Sequence, residues 1–469
     1  MFAADFKINL AMGRRYLQVA IALVFSSVVN ITRVKSQHDT LRVMAYNVLH
    51  YGDGCQGSNT YLHGLLKTVV QYANPDIIGL VKVQCIKVTP SDNNGFSPYG
   101  FPDSIINNAL DAAFPARYKY CTLTNVSGSN DMDLLFYDQN KMGFVSVKTI
   151  CTLSEDFDLY KLYYKDPYLG ATHDSTFLYF ILNHTVSGNS PTQRDQQDTT
   201  IINELKKRFY HLPNIISMGD FNTHSSQEIG YEAYALGNDT NYLFYDPPFN
   251  PDHNLTYPIN WDGNPGLCPG YLNTSTREFN VPNSCGANSG GKDWYEHIFI
   301  SGWLNKNTNF LKYVSNSYIT IGNDGNRLGI SENDSTSHGR NNSASSNVVN
   351  AIFNLSDKYP IMLKLAVTFD SLGNGPINPV NGQSEVKAEI GKTIVNNPVD
   401  GNLVIHFPKS AIGERCTINC FDACGRTVFT TQIEINSDIV TQPFEAIPGL
   451  YVLRLQTNNS ANTFKIIKQ

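Results

Sequence analysis

Four short runs carry the side chains best suited to chemistry: MAYNV (44–48), NH (183–184), GDFN (219–222) and SDKYP (356–360). Each stands at or beside the end of an apolar run. A carboxylate there can take a proton or hold a cation. An imidazole titrates near neutral pH, and an amide orients oxygen atoms. The same residues have plainer uses. Asp220 and Asn222 can form an Asx turn, Asn47 can close a turn, Asp357 can cap, and His184 can be a hydrogen-bonded core histidine. Two further runs lie between them: PDIIGLVKV (75–83), which carries Lys82, and WYEHIFIS (294–301), which carries Glu296. No GxxxxGK[ST] loop, Gly-x-Ser-x-Gly elbow or HExxH pair occurs, which argues against the chemistries those motifs serve.

The elements that must position these residues alternate between strand and helix from Leu41 to Phe369. LRVMAYNVL (41–49) and DIIGLVKVQ (76–84) read as buried strands, with a helix over 60–73 between them that shows Leu62, Leu65, Leu66 and Val69 on one face. SIINNALDAAF (104–114) reads as helix, and DLLFY (133–137) and TFLYFIL (176–182) as strands. A helix follows over 192–212, then strands at 215–219, 297–301 and 361–367. Long apolar strands separated by helices predict sheets covered by helices. Residues 238–296 read as loop-rich, and 322–350 as a polar, mobile insertion.

Composition places the chain. It has 469 residues, 16% charged, with a net charge of −6 and 41% hydrophobic residues. Global disorder and a basic nucleic-acid packaging role are both excluded. Arg14 and Arg15 precede the apolar run 16–29, and Val34 and Ser36 offer a cleavage site before Gln37. This predicts a signal peptide over 1–36, with Met12 an alternative start, and no stable membrane span after its cleavage. Nine cysteines make disulfides available after export. Cys268 and Cys285, in one loop-rich stretch, are the best candidate pair. Cys416, Cys420 and Cys424 read as small buried residues rather than a zinc site.

The six runs in order resemble the endonuclease/exonuclease/phosphatase superfamily across residues 39–369. That resemblance implies an α/β fold: a four-layer α/β sandwich, two packed β-sheets flanked by helices, with the site at one edge. It implies metal-dependent hydrolysis of a phosphodiester, in a nucleic acid or another ester, with Mg²⁺ or Mn²⁺ if active and no cofactor if not. By the same resemblance Asp220 activates water, Asn222 orients the phosphate and His184 faces it. Asp357 and Asn47 stand near the metal, and Asn47 also near the substrate.

Three positions depart from the family. Lys82 stands where a metal-binding Glu is expected, Glu296 where an Asp is, and Lys358 where a His is. A lysine in place of a carboxylate removes two donor oxygens and adds a competing cation. The expectation is that Lys82 takes the metal's place between Asp220 and Asp357, while Glu296 and Lys358 form an ion pair. Gln84, or Asp53 on the loop after the first strand, could restore an oxygen ligand. The fold then survives while its catalyst is weak or absent. An active, rebuilt hydrolase and a non-catalytic phosphate-ligand-binding or surface adhesion protein remain as competing readings.

After SLGNGPINPVNGQSEVKA (371–388), within a linker over 370–388, the pattern becomes purely strand-like. Leu403, Ile405 and Phe407 alternate, as do Tyr451, Leu453 and Leu455. NNPVDGNLVIHF, FDACGRTVF, IPGLYVLRLQ and the terminal TFKIIKQ resemble the C-terminal sorting domain of type IX secretion over 389–469. The resemblance implies a small all-β sandwich, a partner in the type IX export machinery, and a secreted or bacterial outer-surface protein.

Overall fold

A computed structural model of the chain describes residues 38–84, 101–279, 285–371, 393–422, 425–457 and 461–469. The expected signal peptide and residues 372–388 of the expected linker lie outside these, as do Cys85 and Cys424. The architecture is mixed α/β, with two large sheets flanked by helices and an all-β C-terminal region.

The strands in chain order are β1 (His38–Tyr51), β2 (Ile77–Gln84), β3 (Tyr118–Tyr120), β4 (Asp131–Asp138), β5 (Met142–Cys151), β6 (Phe157–Tyr164) and β7 (Phe177–His184). They continue with β8 (Ile215–Asp220), β9 (Phe244–Tyr245), β10 (Glu296–Ser301), β11 (Leu311–Tyr313), β12 (Ile319–Thr320) and β13 (Ile361–Thr368). One sheet runs β11-β13-β1-β2-β4-β3, with β12 also on β13, and the other runs β5-β6-β7-β8-β10-β9. β1 and β2 are parallel, as are β7 and β8. β5 and β6 go beyond the expected strands. FDLYKLYY is Tyr- and Leu-rich enough to be a strand, but its charged residues break the apolar run.

Alternation along β1 explains the layers. Val43 and Ala45 face the second sheet and pack with Leu178, Phe180, Leu182, Ile216 and Met218. Met44, Tyr46 and Val48 face the other way, against Leu62, Leu66 and Val69 of helix Asn59–Ala73 and Ile352 of helix Ser346–Leu355. Helices Pro191–Arg208 and Ile229–Ala235 cover the far face of the second sheet. Both faces of the central strands are therefore buried, which is why they read as unbroken apolar runs. Gly79 lets the sheets approach: a Cβ there would lie 2.5 Å from Leu182 Cδ2 and 2.7 Å from Met218 Cε.

The stretch expected as a mobile insertion is anchored. Helix Ser346–Leu355 is capped by Ser345, whose side chain accepts from the Val348 N–H, and it buries Val348, Val349, Ile352 and Leu355. Ahead of it Arg327, Glu332 and Asn341 are buried, and Asn341 Nδ2 donates to the carbonyls of Gly322 and Glu332.

The C-terminal strands are β14 (Ile394–Val395), β15 (Asn402–His406), β16 (Arg415–Asp422), β17 (Thr427–Glu434), β18 (Ile439–Pro443), β19 (Gly449–Gln456) and β20 (Ala461–Lys468). They form sheets β14-β15-β18 and β17-β16-β19-β20 around Leu403, Ile405, Ile418, Leu453 and Leu455. Asn397 stitches β20: its Nδ2 donates to Lys465 O and its Oδ1 accepts from the Ile467 N–H. Cys416 and Cys420 are buried free thiols within this core.

Candidate functional site

Strand register brings the chemistry-bearing residues to one edge. His184 and Asp220 end β7 and β8 and lie side by side. Glu296 opens β10 directly opposite Asp220. Asp357 and Lys358 precede β13, whose first residue pairs with Ala45 of β1. Ser356 ties this segment to β1, donating its hydroxyl to Asn47 O at 2.7 Å and accepting from the Lys358 N–H. A cavity of about 430 Å³ opens here, lined among others by Lys82, His184, Asp220, Asn222, Asp357 and Lys358.

Lys358 is the electrostatic centre. Its Nζ lies 3.5 Å from Asp357 Oδ2 and 3.9 Å from Asp220 Oδ2. Burial alone would favour a neutral amine, but Asp357, Asp220 and Glu296 outweigh it and hold the ammonium's pKa above its ordinary value. The reverse balance acts on Asp357. Burial pushes its carboxyl up, while Lys358, the Ala287 N–H, Lys82 and Arg277 more than compensate and lower it. Asp220 is fixed by Asn47, whose Nδ2 donates to Oδ2 at 2.8 Å, and by the Asn222 N–H, which donates to Oδ1 at 3.0 Å. The second contact is an Asx turn, so Asp220 closes its strand and lines the cavity at once. Asn222, at φ 46°, gives its Nδ2 hydrogen to Thr185 O.

Several expectations need correction. Lys358, not Lys82, lies between the carboxylates. Lys82 sits on a bulge at φ 61°, where β2 slips register against both β1 and β4, and it lines the cavity instead. Glu296 and Lys358 do not form the expected ion pair. The Glu296 carboxyl is fully buried against Asp220. Burial first, then Asp220, push its pKa well above the ordinary carboxylate range against the opposing pull of Lys358, which disfavours the charge an ion pair needs. Asn47 does not line the cavity; its amide is spent on Asp220 and on the Leu49 N–H. Neither Gln84 nor Asp53 lines it either, and Asp53 is exposed, accepting from the Cys55 N–H. The disulfide joins Cys55 to Cys285, with Cα atoms 6.1 Å apart. Cys268 is instead a free thiol buried beside Trp261 and Trp294, and burial pushes it up to about 12.

Sequence reading missed three contributors. Glu155 Oε1 lies 2.8 Å from His184 Nδ1. A carboxylate only accepts, so the proton sits on Nδ1, and Nε2, buried and without a partner, is left to the cavity. The segment Gly286–Ser289 forms part of the wall and donates the Ala287 N–H to Asp357 Oδ2 at 2.7 Å. Asp293 and Tyr295 also line the cavity. The NSCGANSG run around Cys285 carried a loop signal; nothing marked Glu155 within an acidic turn.

The donor set does not fit a hard divalent cation. Asn47 turns its N–H₂ rather than its oxygen to Asp220, Asp357 Oδ2 is taken by a backbone N–H, and an ammonium lies within 4 Å of both carboxylates. Among the described residues, no group of three or more His, Cys, Asp and Glu side chains is placed to hold a metal ion.

Residues 393–469 match the family model of the secretion system C-terminal sorting domain, which marks the chain as a secreted or outer-surface protein that engages the type IX export machinery. Among the described residues no helix is long and apolar enough to cross a membrane. No curated protein matches the chain in sequence. Among solved structures, the chain is similar to the human Nocturnin catalytic domain with bound sulfate at 15% identity, covering 71% of this chain and 98% of that one, with a TM-score of 0.42. An endonuclease/exonuclease/phosphatase family protein from Bacteroides thetaiotaomicron is 13% identical, with 71% and 96% covered and a TM-score of 0.40. A mannosyl-6-phosphatase from the same organism is 14% identical, with 69% and 99% covered and a TM-score of 0.39. At these identities the likeness concerns the fold.

Proposed function

We propose that this secreted endonuclease/exonuclease/phosphatase-like protein binds a phosphate-bearing ligand without a divalent metal and hydrolyses it weakly or not at all. The observation that carries this reading is the Lys358 ammonium, held 3.5 Å from Asp357 and 3.9 Å from Asp220. A cation fixed there neutralises the carboxylates as a metal would, but it polarises a phosphate less and ionises no water. Nor does Lys358 serve as a general base, because its neighbours favour the protonated form. Lys82, Lys358 and His184 Nε2 remain to face an anion.

The competing reading is an active hydrolase with a rebuilt site. It is favoured by one observation, the Glu155–His184 pair, which has the form of an oriented general base. A single set of assays separates the two. Inorganic phosphate binding is measured by calorimetry, and hydrolysis of DNA, RNA and a chromogenic diester is followed with Mg²⁺, Mn²⁺ and EDTA. Binding that survives EDTA, without turnover, is the expected result. Turnover abolished by Asp220→Ala would establish the hydrolase instead.

A further inference from the structure

The cavity lining divides by chemistry. Lys82, Lys358 and His184 bring side-chain nitrogens to one part of it, enough for one phosphoryl group. Lys358 already stands near Asp220 and Asp357, and Lys82 acts on Asp357, so little positive charge is left over. Asp293, Ser289, Asn288 and Tyr295 line the same cavity and offer something else. Ser289 Oγ lies 3.4 Å from Asp293 Oδ2. Tyr295 donates its hydroxyl to Asp262 Oδ2 at 3.4 Å, and His224 pairs with the same Asp262 oxygen. The His224 ring packs on Tyr295 with centroids 5.3 Å apart, and Lys358 Nζ lies 5.8 Å from the Tyr295 centroid. Three buried polar atoms in and beside the cavity have no partner: His184 Nε2, Asp357 Oδ1 and Asp262 Oδ1.

Carboxylates accept hydrogen bonds and repel phosphates. An aromatic face packs against C–H groups. A strand of nucleic acid brings a row of phosphates that needs several unpaired Lys or Arg side chains. This cavity supplies cations for one phosphate and acceptors beside it. We propose that the ligand is a phosphomonoester of a small polyol, such as a hexose phosphate. Its phosphate would sit at Lys82, Lys358 and His184, and its hydroxyls would donate to Asp293 and Asp262 beside Tyr295. This rests on the phosphate-binding reading above. The volume of about 430 Å³ lies in the range of small-molecule sites. Burial and the neighbouring Asp262 push Asp293 up to about 6, against the opposing pull of Lys358 and His224. The acidic pair is thus held close enough that each carboxyl feels the other.

The test compares three probes on the full chain by calorimetry at pH 7.5: inorganic phosphate, glucose 6-phosphate and a 5′-phosphorylated oligothymidylate. Glucose 6-phosphate should bind at least tenfold tighter than inorganic phosphate, and the oligonucleotide weaker than either. In Asp262→Asn and Asp293→Asn the ratio of sugar phosphate to phosphate affinity should fall toward one, and the oligonucleotide should gain. Tyr295→Leu, which leaves the carboxylates in place, should lower the same ratio. An oligonucleotide that binds tighter than glucose 6-phosphate overturns the proposal, as does a sugar that adds nothing to phosphate. If inorganic phosphate and both esters all fail to bind, the phosphate reading itself is overturned, and this one with it.

Discussion

Three side chains in this site are set by the balance of burial against partners. Partners hold Lys358 and Asp357 toward their charged forms against burial, whereas at Glu296 burial and Asp220 together favour the neutral form over the pull of Lys358. Removing the cation alone should be costly. Lys358→Met leaves two buried carboxylates uncompensated and should destabilise the fold by about 3–5 kcal/mol at pH 7, read by urea denaturation. Asp357 has a lowered folded pKa, so its stabilising share is present above its unfolded pKa and lost as pH falls through the folded one. The penalty of Lys358→Met should therefore shrink in acid. Glu296 behaves in the opposite sense. Its raised pKa means that folding takes up a proton, and stability drains away as pH rises above the ordinary value of 4.5. Glu296→Gln should be close to neutral at pH 4 and stabilising at pH 8, with a rising Tm difference between them. The motifs made His184, Asp220, Asn222 and Asp357 legible as neighbours. Which lysine would reach the carboxylates was not legible, because that depends on a bulge that gives Lys82 a positive φ. Glu155 was equally hidden, since its role depends on a loop reaching the end of β7.

At the scale of elements, the site is built from strand ends on two sheets and closed by a strap. The Cys55–Cys285 disulfide joins the loop after β1 to the segment that presents Ala287 to Asp357. Arg277 reinforces the same junction, donating to Cys285 O and to Gln56 Oε1. A cross-link spanning 230 residues stabilises by about 5 kcal/mol in the chain-entropy account. Cys55→Ser should lower Tm by several degrees and weaken phosphate binding, since the Ala287 N–H is no longer held on Asp357. Dithiothreitol should reproduce both effects in the native chain and change neither in the variant. Sheet packing gives a second prediction. Gly79→Ala places a methyl against Leu182 and Met218 and should cost about 1–3 kcal/mol by urea denaturation, without altering the site's charges. The alternation of long apolar strands with helices made the layered arrangement readable. The cysteine partner was not readable, because proximity in the loop-rich stretch favoured Cys268 while the fold brings up a residue 230 positions away.

For the whole molecule, a low charged fraction, an expected signal peptide and a terminal sorting domain all agree with export and with a disulfide at the site. The motif residues of the terminal region were legible because each has a mechanical task. Asn397 clamps β20, the Tyr451 hydroxyl donates to Ile447 O, and Gly425 adopts φ 77° in its turn. A chain lacking 393–469 should remain in the periplasm while the full chain reaches the cell surface or medium, as fractionation with an antibody would show. Asn397→Ala removes two hydrogen bonds to the last strand and should reduce export without abolishing expression.

The central claim is that Lys358 takes the place of a divalent cation beside Asp220 and Asp357, so that phosphate binds without metal. Calorimetric titration of the full chain with inorganic phosphate, in EDTA and again in Mg²⁺, tests it most directly. The account predicts the same affinity in both buffers and a loss of at least tenfold in Lys358→Met. Binding that requires Mg²⁺, or that survives Lys358→Met unchanged, would contradict it.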